Sequence, residues 1–140
     1  MPVKLRSDST TSTPYLRLVY SAAAPGESIA AKINRFTMPA TKSLPFVKVS
    51  DNDQPFWRPE SFWHVEPTGK REMDVRLGRK YARQAVAAMK ADHNAHLIAF
   101  IVQDIIKDTI ERSGKKGRGR RSAIVLGFLT EISEAIATAP

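Results

Sequence analysis

Proline decides which parts of this chain can be helical. Eight of its nine prolines (Pro2, Pro14, Pro25, Pro39, Pro45, Pro55, Pro59 and Pro67) fall within the first 67 residues, and the ninth is Pro140. Each removes a backbone donor and biases the residue before it towards extended geometry, so long helices are not expected before residue 68. Beyond that point apolar residues recur at helical spacing. With 140 residues, 42% of them hydrophobic, the chain has the size and apolar content of one domain with one core.

Three regions follow from this division. Residues 1–13 read as a polar leader, residues 14–67 as a proline-rich β and loop region, and residues 68–140 as a three-helix region. Residues 15–22 alternate Leu16, Leu18 and Tyr20 against Arg17, Val19 and Ser21, the pattern of a half-buried strand. Pro25-Gly26 marks a turn. Residues 27–37 carry two periods at once. Ile29, Ile33 and Phe36 share a helical face, whereas Ile29, Ala31 and Ile33 alternate as in a strand. The short flanks and the stop at Met38-Pro39 favour a strand. Residues 44–49 make a third candidate, confined to an edge by Pro45. The expected fold class is therefore α+β: a small N-terminal antiparallel β element and an extended aromatic loop packed on a C-terminal three-helix unit.

That loop, residues 51–67, holds both tryptophans in a repeated dipeptide, Phe56-Trp57 and Phe62-Trp63. Rings of this size can pin a coil segment over apolar helix faces. They can equally anchor a partner, where Trp and Arg are enriched, or stack on unpaired bases beside cations.

The first helix is expected over about residues 69–91, with Thr68 at its N-cap. Asp92 to Asn94 interrupts it, and Asn94 can cap the next helix over about residues 95–112. There Leu97, Ile98, Ile101, Val102, Ile105, Ile106 and Ile110 form a broad apolar surface, leaving Gln103, Asp104, Lys107, Asp108 and Glu111 in water. Gly114 offers a stop. The third helix spans about residues 122–137, with Val125, Phe128, Leu129, Ile132 and Ile136 at helical spacing. Burying one such Ile or Leu contributes about 1.5–3 kcal/mol, so the second and third helices are expected to hold the core. Their apolar faces also leave a second copy of the chain open as an occupant.

Charge points to the partner class. The chain carries 22 Lys/Arg against 14 Asp/Glu, a net charge of +8. Of this, +2 belongs to residues 1–67 and +6 to residues 68–140. Such a balance favours anionic partners. Two clusters carry it. On the first helix Arg76, Arg79, Lys80, Arg83 and Lys90 share one narrow sector, with no acid among them. Opposite lie Met73, Leu77, Tyr81, Ala85, Ala88 and Met89, so one face can be buried while the other presents cations. In the loop that follows the second helix, Arg112, Lys115, Lys116, Arg118, Arg120 and Arg121 alternate with glycines and no acid interrupts them. Glycine lets such a loop follow a phosphate backbone closely, and each neutralised phosphate releases counterions.

Several chemistries are disfavoured. With no cysteine there are no disulfides, thiolate metal sites or cysteine nucleophile. The basic loop lacks the glycine and Lys-Ser/Thr spacing of a P-loop. The third helix is too apolar to read base edges as a helix-turn-helix would. His93 and His96, three apart, do not by themselves make a metal site, because three or four ligands must converge. His64 belongs to the aromatic loop. No nucleophile elbow or nucleotide turn appears, so the chain reads as non-enzymatic, without cofactor or metal. Without a signal peptide or an apolar run of bilayer length, a cytoplasmic location is expected.

A proline-rich N-terminal part followed by a compact basic helical half resembles small accessory proteins of phages and mobile genetic elements, anti-CRISPR proteins among them. The likeness is one of overall character, carried by residues 56–63, 76–90 and 112–121. It implies a protein that docks on a protein or nucleoprotein complex and inhibits or disassembles it. The aromatic loop would then be the anchor, and the cations would meet acidic patches. The positive charge departs from acidic inhibitors that mimic DNA. The alternative is direct, sequence-independent RNA or DNA binding through the helix face and basic loop. Neither reading involves a membrane.

Overall fold

The computed structural model describes residues 27–51, 58–113 and 121–140. The strand expected over residues 15–22 lies outside them, as do Phe56, Trp57, Lys115, Lys116, Arg118 and Arg120. Five helical segments are present: α1 (Ile29–Thr37), α2 (Pro39–Lys42), α3 (Arg71–Ala91), α4 (Leu97–Glu111) and α5 (Ser122–Ala137). No helix among the described residues is long and apolar enough to cross a membrane.

The α+β expectation is overturned, since the described residues contain no strand. Residues 29–37 form a helix because the stretch between Pro25 and Pro39 is long enough for two turns and carries its own stops. Ser28 is the N-cap, its hydroxyl accepting from Ala31 N at 3.1 Å, and Glu27, just ahead of the helix, pairs with Arg35 in its last turn. Pro39 prevents Met38 from continuing the helix. Met38 instead turns left-handed (φ 51°, ψ 51°) and donates its N–H to Asn34 O at 2.8 Å. The third strand candidate is reduced to one antiparallel bridge, in which Lys48 and Ser61 exchange N–H···O bonds of 2.8 and 3.2 Å. Below it, His64 N donates to Phe46 O at 2.7 Å. Prolines at 45 and 59 flank the pairing and keep it from growing into a ladder.

The three later helices lie where the apolar period places them, but they pack differently. The intimate pair is α3 with α5, not the second and third helices of the sequence reading. Gly78 and Gly127 allow it. A β-carbon on Gly78 would sit 2.0 Å from Ile124 O, and one on Gly127 would sit 2.0 Å from Val75 O. Backbone therefore lies against backbone, with buried Ala82 and Ala85 extending the small-residue face of α3.

On one side of this contact sits an aromatic core. Phe46 lies 4.8 Å from Tyr81 and 5.8 Å from Trp63 (ring centroids), and Trp63 meets Phe128 edge-on at 5.2 Å. Leu97 and Ile101 of α4 and Ile124 of α5 are fully buried in the same cluster, with Leu44, Val47 and Val65 of the coil segments.

Buried aspartates tie the coil to the helices. Asp92, at the end of α3 and fully buried, accepts from Ala40 N (2.9 Å), Thr41 N (2.7 Å) and Thr41 Oγ1 (2.6 Å). It thus caps the start of α2 from across the fold, satisfying donors that helix cannot satisfy itself. Asp74 accepts from Thr68 N and Oγ1, both at 2.7 Å. Thr68 is therefore fastened to the first turns of α3 and is not its N-cap, which is Lys70. Asp104, expected in water, accepts from Phe62 N at 2.7 Å.

Two substitutions test this account. Gly78→Ala would normally strengthen a helix, but here the helices must move apart. The expected result is a loss of about 3 kcal/mol in a denaturant titration, the scale of core overpacking. Asp92→Ala leaves three donors of α2 without their carboxylate and should also cost about 3 kcal/mol, read as a lowered Tm.

Candidate functional site: a cationic ridge on α3

Five positions of α3 form its outward sector. Arg76, Lys80, Arg83 and Lys90 are exposed and Arg79 is partly so. They share it because 3, 4 and 7 residue steps bring side chains to one face, opposite the buried Asp74, Gly78, Ala82, Ala85 and Ala88. The ridge is not uniform. On the flank facing α5, Arg79 Nη1 donates to Glu131 Oε2 (3.0 Å) and Glu134 Oε2 (2.8 Å), and its Nη2 donates to Glu134 Oε1 (3.1 Å). Arg83 Nε donates to Glu131 Oε1 at 2.9 Å.

Within the helix no acid interrupts the row, but the fold brings two acids from α5 to it. Arg76, Lys80 and Lys90 make no ion pair among the described residues, and the Glu72–Arg76 pair that the i,i+4 spacing allows does not form.

The charges of the clamp respond as their contacts dictate. Hydrogen bonding from Arg83, joined by that from Arg79, holds the Glu131 carboxyl below the usual glutamate range against the opposing effect of burial. The bonds to Glu134 and Glu131 hold the Arg79 guanidinium above its already high value.

The second basic cluster is described only at its ends. Arg112 Nε donates to Asp108 Oδ1 at 2.7 Å, and Arg121 Nη1 reaches the same carboxylate at 3.4 Å. Both ends of the loop are thus held by one acid of α4. Lys115, Lys116, Arg118 and Arg120 lie between them, outside the described residues.

The aromatic residues divide as well. Phe62 is fully buried and Trp63 nearly so. Phe62 stacks on Phe100 at 5.4 Å, with the Arg58 guanidinium 5.1 Å from its ring centre. These two rings are core and offer no surface to a partner. Phe56 and Trp57 lie outside the described residues.

The histidines do not converge. All three are exposed. His93 has a structural position: at φ 52° it is the left-handed residue that ends α3, with Asn94 N donating to Met89 O at 3.0 Å. His96 lies 6.4 Å from the Phe100 ring. Among the described residues no three His, Cys, Asp or Glu side chains gather as metal ligands. An open groove of about 650 Å³ runs along α4 beside residues 58–60, and none of the histidines lines it. Of its three acids, Asp104 is bound to Phe62 N, Glu60 pairs with Lys48 and Glu111 lies 4.0 Å from Lys107.

Sequence reasoning missed Glu131 and Glu134 as part of the ridge. Their i,i+3 spacing on an otherwise uncharged helix was the available signal. No protein family, curated protein or solved structure matches the chain.

The Glu131 clamp gives a pH test. A carboxyl whose folded pKa is depressed adds stability that is complete above its unfolded value and lost as pH falls through the folded one. Glu131→Gln has nothing to protonate. Its Tm deficit against the wild type should be full at neutral pH and shrink below about pH 4.3, the ordinary glutamate value. A deficit that stays constant across that window would remove the carboxylate from this role.

Proposed function

We propose that this chain is a non-enzymatic binding protein that engages the phosphate backbone of a nucleic acid, free or within a nucleoprotein complex, through the open flank of α3. The observation that carries the reading is the row of Arg76, Lys80 and Lys90, exposed and unpaired among the described residues on a rigid helix. At about 1.5 Å per residue the row extends for about 21 Å, long enough to meet several phosphates of one strand. Its contacts are to charge, not to base edges, so binding is sequence-independent. At the start of the helix exposed Lys70 and Arg71 are offset by Glu72 and Asp74, so the positive row begins at Arg76.

A second reading rests on α1. Ile29, Ile33 and Phe36, at i, i+4 and i+7, are 75%, 50% and 61% exposed. This is the spacing by which an amphipathic helix enters a partner's groove. In this reading the chain docks on the protein component of a nucleoprotein complex and inhibits or dismantles it, as its anti-CRISPR-like character implies.

One measurement separates the two. Neutralising the open flank in the triple variant Arg76→Gln, Lys80→Gln, Lys90→Gln should weaken binding to a labelled 20-nucleotide single strand. The slope of log K against log salt should flatten by about 0.7 per lost phosphate contact. Unchanged affinity and slope would overturn the nucleic-acid reading. Ile33→Glu with Phe36→Glu should leave this binding intact.

A further inference from the structure

Arg79 and Arg83 belong to the same row as the open cations, yet each already holds a carboxylate of α5. The Arg79 guanidinium grips Glu134 with two parallel bonds, 2.8 and 3.1 Å, and adds a third to Glu131. This two-pronged geometry is the one by which arginine also holds a phosphate. Arg83 binds Glu131 through Nε alone, and its side chain is 64% exposed. Glu131 and Glu134 are the only charged residues of α5, and both face the ridge. Glu134 is itself 56% exposed. The pairs therefore reach solvent on the Arg83 and Glu134 sides, where dissolved anions can compete for the guanidinium groups.

We propose that Glu131 and Glu134 are internal competitors for the nucleic-acid strand. They occupy Arg79 and Arg83 in the free protein and yield them to phosphates in the complex. The inference rests on the reading of the ridge given above and adds its regulation. Free protein presents a half-closed row of three cations, whereas the complex uses five. The internal carboxylates thereby lower affinity for stray anions. A strand long enough to follow the open flank is held next to the two guanidinium groups and can displace them.

The test compares two variants that lose the same two negative charges. Glu131→Gln with Glu134→Gln frees the ridge. Glu60→Gln with Glu111→Gln, whose partners Lys48 and Lys107 lie elsewhere, is the control. With the labelled 20-nucleotide strand, the ridge variant should bind several-fold more tightly than the control. Its salt slope should be steeper by about 0.7 for each arginine no longer held internally. Equal affinity and slope in the two variants would overturn the competition.

Thermal melts establish that both variants are folded. Should the double variant not fold, Glu131→Gln alone frees Arg83 while Arg79 keeps Glu134, and a smaller gain over the control is expected. In the wild type, the Nε–H resonances of Arg79 and Arg83 should shift when the strand is added, and fixed resonances would also refute the exchange. If the triple variant of the open flank weakens binding but the ridge variant only equals its control, the competition alone fails. If the triple variant binds unchanged, the reading beneath it fails.

Discussion

The close approach of α3 and α5, at Gly78 against Ile124 and at Gly127 against Val75, sets how α5 lies on the fold. Where a β-carbon would stand 2.0 Å from the opposing carbonyl oxygen, no other residue lets the helices come so close. This approach fixes the rotation of α5 about its own axis. Ile124 and Phe128 then turn into the core, and Phe128 meets both Phe46 and Trp63. The same rotation places Glu131 and Glu134 over Arg79 and Arg83. Packing and surface electrostatics are thus set by one pair of absent side chains.

Four aspartates hold the fold together from within the helices or at their ends. Asp74, Asp92 and Asp104 each accept backbone donors from coil or from the start of a short helix, and Asp108 holds both described ends of the basic loop. A buried N–H without an acceptor is expensive, and a carboxylate is the strongest acceptor available. A chain with fewer acids than bases that uses its acids in this way leaves cations on its surface. The positive row of α3 follows from that allocation as much as from the net charge of +8.

Long periodic segments were legible in advance. The apolar spacing located α3, α4 and α5 to within two residues at each end, whereas the stop expected at Gly114 lies outside the described residues. Residues 29–37 were not, because nine residues hold too few repeats to separate a period of 3.6 from one of 2. The decisive features, the Ser28 cap and the left-handed Met38, are local hydrogen bonds that periodicity does not register. For Phe62 and Trp63 both a core and a surface role were open, since an aromatic dipeptide looks the same in either. Residue type alone points to Thr68 and Asn94 as caps. In the fold, Thr68 is held by Asp74, and Asn94 Oδ1 accepts from His96 N at 3.1 Å, just ahead of α4.

By itself the sequence determined where long helices could form, which sector of α3 would carry cations, and that no cysteine chemistry was available. These depend on neighbours within a few residues, where helical geometry is known in advance. Only the tertiary structure decided that α3 pairs with α5 and that its cations divide into a clamped flank and an open one. Those outcomes depend on groups about 50 residues apart, as with Arg79 and Glu131, whose meeting is set by packing that no local pattern encodes.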